Sequence, residues 1–166
     1  LLFVIPSVLV SIAFAPILLS ISPTPAFEST KRMSLKELFQ VSPLGFVGMF
    51  LMGSVFAAQF GMAAVYATEA GLPINQIPFF TAAFYVGAML FQYPIGWISD
   101  RSDRRVLIAL SAAIAGVASI AGMLFGGNYY VLLGAAFLIG GLSNPLYSLL
   151  IAYTNDFLEA EDMASA

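Results

Sequence analysis

The sequence predicts an all-α integral membrane protein. Three observations carry the prediction. Charged side chains make up 9% of the chain against 60% hydrophobic residues, and the mean hydropathy is +0.94. Soluble domains carry about 25% charged residues, so this chain lacks the polar surface a water-facing globule needs. The apolar residues fall in five runs, each near the ~20 residues with which a helix crosses a ~30 Å hydrocarbon layer. All six basic residues lie between runs, in only two of the connecting stretches.

The first run, 1–21, has Ser7, Ser11 and Ser20 as its only polar side chains, and Pro6 and Pro16 are expected to bend it. It begins inside an apolar segment with neither an initiator Met nor a basic leader. The chain stops at Ala164-Ser165-Ala166. Both ends read as cuts in a longer membrane protein. Residues 22–45 form the one long connector. Pro23-Thr24-Pro25 stops a helix, and Lys31, Arg32 and Lys36 follow. Ser34-Leu35-Lys36-Glu37 fits a capping box, and Leu35, Leu38 and Phe39 share a face. A short amphipathic helix on the membrane surface is expected there, rather than a plain linker.

The second run, 46–67, is rich in Gly and Ala, which permit close helix contact, and holds Gln59 near its middle. A connector with Glu69 and no basic residue leads to the third run, 79–98, with Tyr85, Gln92, Tyr93 and Pro94. The fourth run, 106–125, is polar only at Ser111 and Ser119. Gly126-Gly127-Asn128 has the composition of a tight turn. The fifth run, 130–153, contains Gly140-Gly141 and Asn144-Pro145. An acidic tail with Asp156, Glu159, Glu161 and Asp162 follows, and another helix is expected to start near Met163. Counting crossings puts both basic connectors, 22–45 and 99–105, on one side. The positive-inside rule makes that side, and the tail, cytoplasmic.

Several chemistries are excluded or disfavoured. The chain has no Cys and no His, so it offers no disulfide, thiolate metal site or His-based relay. No Asp, Glu, Lys or Arg stands in the middle of a run. No enzyme activity, metal, cofactor or nucleic-acid partner is expected.

The charged turn after the third run carries a resemblance. Gly96-x-Ile98-Ser99-Asp100-Arg101-x-x-Arg104-Arg105 resembles the cytoplasmic signature of the major facilitator superfamily, G-x-L-A-D-R-x-G-R-R/K. Asp103 stands where that signature has glycine, which leaves the geometry of the turn open. In the family the signature follows the second span and, more loosely, the eighth, and a long cytoplasmic loop joins two six-span halves. The long connector two runs upstream therefore implies spans six to ten of a twelve-span fold, in the bacterial sugar- and drug-type branch. The resemblance implies a secondary transporter of the bacterial plasma membrane, moving a small solute by alternating access between its halves. It also implies that the second and fifth runs line a central cavity and the third flanks it. A receptor or membrane-embedded enzyme is the alternative. It would be expected to show a larger extramembrane domain or paired catalytic groups, and neither is present.

The resemblance assigns roles. Gly96, Asp100, Arg101, Arg104 and Arg105, with Asp156 as partner, form a cytoplasmic gating motif. Its ionic latch would hold while the cavity opens outward and break when it opens inward. The simpler reading is that the basic residues only keep the loop inside. Gln59, Tyr85, Gln92, Asn144 and Tyr147 are candidates to line the cavity; interhelical hydrogen bonding is the simpler reading of the amides, and suits Gln92, near the cytoplasmic end, equally well. Tyr66, Tyr129, Tyr130 and Tyr153 read as interfacial anchors. Pro145 cannot donate to the Gly141 carbonyl, so Gly140, Gly141 and Pro145 are expected to bend the fifth run, as a working hinge or as a static kink. The expected partners are a small solute, a coupling proton or ion, and membrane lipid, with the protein a monomer. With no ionisable side chain in mid-run, a coupling carboxylate belongs to the rest of the protein, or transport is uncoupled.

Overall fold

The computed structural model describes residues 3–19 and 34–158. They belong to two compact units, Leu1–Thr30 and Lys31–Ala166. All regular structure among the described residues is helical. Lys31, Arg32, Glu159, Glu161, Asp162 and the helix start expected near Met163 lie outside them.

The first unit contains α1 (Val4–Leu18). Pro6 falls in its first turn, where the N–H groups have no intrahelical acceptor, and the helix continues through Pro16. The Ser11 hydroxyl donates to the Ser7 carbonyl at 2.9 Å, which removes its polarity from the outer surface. The 15 residues of α1 are fewer than the predicted run 1–21, whose ends fall outside the described residues.

The second unit contains α2 (Leu35–Val41), α3 (Pro43–Glu69), α4 (Ile77–Ser99), α5 (Arg104–Leu124) and α6 (Tyr129–Asn155). The last four are long and apolar enough to cross a membrane. Their ends follow from local chemistry. The Ser34 hydroxyl accepts from the Glu37 N–H at 3.3 Å, and the Glu37 carboxylate accepts from the Ser34 N–H at 2.8 Å. This is the capping box read in the sequence, and it starts α2. Ser42 ends α2 and caps α3 by accepting from the Gly45 N–H at 3.3 Å. Pro43 takes the first helical position, which needs no N–H, so α3 starts three residues before the apolar run does. Phe39 packs edge-on against Phe46 at 5.6 Å and ties α2 to α3. At the far end of α3, Gly71 has φ 77°. The bonds Leu72 N–H to Ala67 O and Gly71 N–H to Thr68 O close the helix as a Schellman motif. Asn128 starts α6, its Oδ1 accepting from the Tyr130 N–H at 2.9 Å.

α6 is the central helix. Half of its apolar window is buried, against 11% for α3. Glycines set how closely α4 approaches it. A Cβ on Gly140 would run into the backbone of Phe84, and one on Gly87 into the carbonyl of Phe137. The two helices therefore meet backbone to backbone. α3 crosses α6 through Gly45 and Gly48, where a Cβ would strike Thr154 and Leu150. One apolar cluster, with Met52, Ile95, Ile108 and Leu146, lies toward the end of the bundle where α6 finishes. A second, with Ala67, Phe80, Phe84 and Leu132, lies toward the other end. Outward faces carry large apolar side chains such as Phe50, Met89, Val117 and Met123, all strongly exposed. Such faces suit lipid.

Gly140→Ala is expected to force α4 and α6 apart and lower stability by about 1–3 kcal/mol, the usual cost of overpacking. Gly53→Ala meets no atom within 4 Å and is expected to cost nothing. Thermal unfolding of both variants of the full-length protein in detergent checks the contrast.

Candidate functional site

Hydrocarbon excludes unpaired charge, and the second unit shows the consequence. Among its described residues every charged side chain except Glu69 lies at one end, where α3 begins, α4 ends, α5 begins and α6 ends. The turn between α4 and α5 sits at that end. Asp100 is the last residue of the α4 turn, its N–H bonded to Gly96 O at 3.1 Å. Asp103 caps α5: its Oδ1 accepts from the Arg105 N–H at 2.8 Å. Its φ of −64° lies in the ordinary extended region. The turn therefore does not demand glycine, and an aspartate serves as well because both residues favour the N-cap. Asp103, rather than Asp100, is the carboxylate at the positive end of the α5 dipole.

Arg104 links this turn to α6. Its Nη1 lies 2.5 Å from both carboxylate oxygens of Asp156 and 3.5 Å from the Ala152 carbonyl. It thus pairs with the acid and is a second donor to the Ala152 carbonyl in the last turn of α6, which also accepts from the Asp156 N–H at 3.1 Å. The pair is partly open to solvent, with side-chain exposures of 28% and 49%. Arg105 adds a second link by lying over the rings of Tyr153 and Phe157, at 5.5 and 5.9 Å. Tyr153, expected as an interfacial anchor, is 9% exposed and packs in the core beneath that guanidinium. Arg101 turns back on its own helix: it covers the Trp97 ring at 4.2 Å and donates to the Trp97 carbonyl at 3.1 Å. Of the expected latch, the structure brings together Arg104 and Asp156 but not Arg101. Among the described residues the Asp100 carboxylate has no hydrogen-bond or ion-pair partner; it borders a cleft of about 180 Å³ with Gln92, Gly96, Ser99, Arg104 and Pro145. A Cβ on Gly96 would meet nothing within 4 Å.

The five cavity candidates separate. Gln92 lies at the charged end, on that same cleft. Asn144 spends its amide inside α6, donating to the Gly140 carbonyl at 3.3 Å. Ser143 does likewise to Ile139 O at 2.6 Å, and helix α6 runs unbroken through Pro145. Gly140 and Gly141 sit in the α4 contact, so any bend at this point has to loosen that packing. Tyr85 and Tyr147 are joined through two residues that sequence reading missed. Tyr147 packs on Phe56 at 5.8 Å, Phe56 on Phe60 at 5.6 Å, and Phe60 on Tyr85 at 6.0 Å. This row crosses α6, α3 and α4, and Tyr85 remains 59% exposed. The spacing of Phe56 and Phe60, one helical turn apart, was the available signal. Gln59 is 8% exposed, and its Oε1 is buried with no hydrogen-bond partner among the described residues. Leaving such an acceptor unsatisfied costs about 1–3 kcal/mol. The residue borders two clefts, one of about 80 Å³ beside Phe60 and Tyr85, and one of about 490 Å³ between α3, α4, α5 and α6.

Four apolar helices of membrane length, with their charges gathered at or beyond the helix ends, define an integral membrane protein. The chain belongs to the Major Facilitator Superfamily, whose family model matches residues 1–166. It is 30% identical over 139 residues to the MFS-type transporter YfkF of Bacillus subtilis (strain 168), covering 81% of this chain and 35% of that protein. It is 22% identical over 140 residues to the MFS-type transporter YcaD of Escherichia fergusonii, covering 83% and 36%. Against YcaD of Escherichia coli O9:H4 (strain HS) the identity is 24% over 138 residues, covering 83% and 35%. The chain thus spans about a third of the length of these curated relatives. No solved structure matches it significantly.

Asp103→Ala removes the α5 cap and is expected to cost about 1 kcal/mol, whereas Asp103→Gly costs only a few tenths. Thermal unfolding of the two variants, side by side, distinguishes a capping role from a charge role, since both lose the carboxylate.

Proposed function

We propose that this chain is part of a secondary transporter that moves a small solute across a bacterial plasma membrane by alternating access. The Arg104–Asp156 pair is its latch at the cytoplasmic end. One observation carries the reading: the pair ties the turn between α4 and α5 to the end of α6, residues 52 positions apart. A partly exposed ion pair is worth about 0.2–1 kcal/mol. That is weak enough to break and re-form in each cycle, and strong enough to bias which conformation is populated. Lys36, Arg101, Arg104 and Arg105 gather at this end, which supports its assignment to the cytoplasm. The row Tyr147–Phe56–Phe60–Tyr85, exposed at Tyr147, Phe60 and Tyr85, supports a solute-facing side formed by α3, α4 and α6. In this reading the protein works as a monomer among membrane lipids. The remainder of the longer protein supplies any group that couples transport to a proton or ion.

The test uses full-length protein in proteoliposomes, screened for a transported solute. Asp156→Asn keeps the shape and removes the charge. It is expected to shift the balance of inward- and outward-open states about two- to fivefold, the equivalent of ~0.5–1 kcal/mol. Maleimide labelling of single cysteines at the two ends reads that balance, and initial transport rates read its consequence. Unchanged labelling and unchanged rates would sink the latch.

A further inference from the structure

The last turn of α6 is held from two sides, and the ion pair is only one of them. Asp156 meets Arg104 at the start of α5. Thr154, two residues earlier, meets the start of α3, where a Cβ on Gly45 would strike its hydroxyl. One turn further along α3, a Cβ on Gly48 would lie 2.6 Å from Leu150 Cδ2. Residues two apart on a helix point to nearly opposite sides, so the seat on α3 and the ion pair grip α6 from opposing faces. The glycine contacts of α6 differ in kind. Where α4 meets α6, at Gly87 and Gly140, the obstructing atoms are backbone, and the two helices interlock. At Gly45 and Gly48 the nearest obstructing atoms are all side chains. The polar groups of this seat are satisfied within their own helices. The Thr154 hydroxyl donates to the Leu150 carbonyl at 2.8 Å, and the Ser42 hydroxyl accepts from the Gly45 N–H at 3.3 Å. Parting α3 from α6 here breaks no hydrogen bond and orphans no buried polar group, so the polar penalty that resists separation elsewhere is absent. Ser42 both ends α2 and caps α3, and Phe39 packs on Phe46, so α2 is carried with the start of α3.

We propose that the seat of α3 on the end of α6 is a working contact, made when the charged end is closed and parted when it opens. Gly45 and Thr154 are its two faces. Closure then has a steric half on the α3 side and an electrostatic half on the α5 side, and the α2–α3 elbow swings as one piece. The proposal rests on the alternating-access reading for the existence of an open and a closed state. It does not require that the ion pair govern the exchange between them.

The experiment uses full-length protein in proteoliposomes, with any cysteine outside this chain replaced; the chain itself has none. A Cβ on Gly45 lies 3.3 Å from that of Thr154, and one on Gly122 lies 3.2 Å from that of Ala135, between α5 and α6. Both separations are close to the ~3.5–4.5 Å that a disulfide spans. Gly45→Cys with Thr154→Cys is expected to lose transport on oxidation by copper–phenanthroline and to regain it with dithiothreitol. Gly122→Cys with Ala135→Cys is expected to transport equally well oxidised and reduced, since α5 and α6 travel together. Without any cross-link, Gly45→Ala overpacks the closed state and is expected to shift the labelling balance about fivefold or more toward the open charged end. Adding Thr154→Ala is expected to return most of that shift. The proposal is overturned if the Gly45–Thr154 cysteine pair forms no disulfide, if its oxidised form transports at the reduced rate, or if both cross-links arrest transport alike. It is equally overturned if Gly45→Ala leaves the balance unchanged, or if Thr154→Ala fails to relieve it. Asp156→Asn, measured in parallel, separates the two failures. A silent Asp156→Asn beside an arrested Gly45–Thr154 cross-link removes the latch and leaves this contact. An effective Asp156→Asn beside a freely transporting cross-link removes this contact and leaves the latch.

Discussion

The second unit depends on the close approach of α4 to α6. Gly87 on one helix and Gly140 and Gly141 on the other bring the two backbones together, with no room for a Cβ between Gly140 and Phe84. Among membrane helices there is no hydrophobic force to drive association, so dispersion contacts at short range have to do it. This contact makes α6 the axis on which α4 and α5 pack and α3 leans. It also fixes where the turn between α4 and α5 lies relative to the end of α6. The ion pair and the stacking of Arg105 on Tyr153 and Phe157 follow from that placement.

Two kinds of force divide the unit by depth. Inside, contact is apolar and glycine-mediated, and polar side chains such as Ser143, Asn144 and Ser119 return their hydrogen bonds to their own helix. At the charged end, contact is electrostatic and partly wet. Arg104 stands at the start of α5, against that helix's own dipole, and is held by the carbonyl and carboxylate at the end of α6. Its attachment is therefore conditional on α6 staying close. Arg105 over Tyr153 and Phe157 depends on the same proximity. A rigid apolar interior coupled to a weak polar clasp is a combination suited to rocking motion, in which helices move as a group and end contacts exchange.

The helices were legible because hydropathy and length carry the signal directly. The capping box of α2 was legible from Ser34 and Glu37 alone, since capping is local chemistry. Asp156 was legible as a partner for one of the arginines of the turn, because membrane helices leave few places for charge to meet, but which arginine it pairs with was not. Other features depend on rotation of helices about their axes, which periodicity reports poorly when most of a helix's surface is apolar. So the depths of Gln59, near mid-run, and Gln92, near the charged end, were legible, but the burial of Gln59 among neighbouring helices was not. Tyr153 looked like an interfacial anchor and proved to be core. Gly140 and Gly141 suggested bending, whereas their immediate setting is close packing, a distinction only the neighbouring helix decides. Asp103 was opaque because it stands where the family has glycine, which left the geometry of the turn open; the backbone there is ordinary, and the side chain is a cap.

The central functional claim is that Arg104 and Asp156 act through their attraction for one another, not through topology or helix capping alone. A charge exchange tests it most directly. Arg104→Asp and Asp156→Arg, alone and together, are compared for solute transport by the full-length protein in proteoliposomes, at matched levels of insertion. The account predicts that each single exchange, which sets like charges face to face, impairs transport, and that the double exchange restores most of it. A double exchange no better than the worse single one would contradict the account.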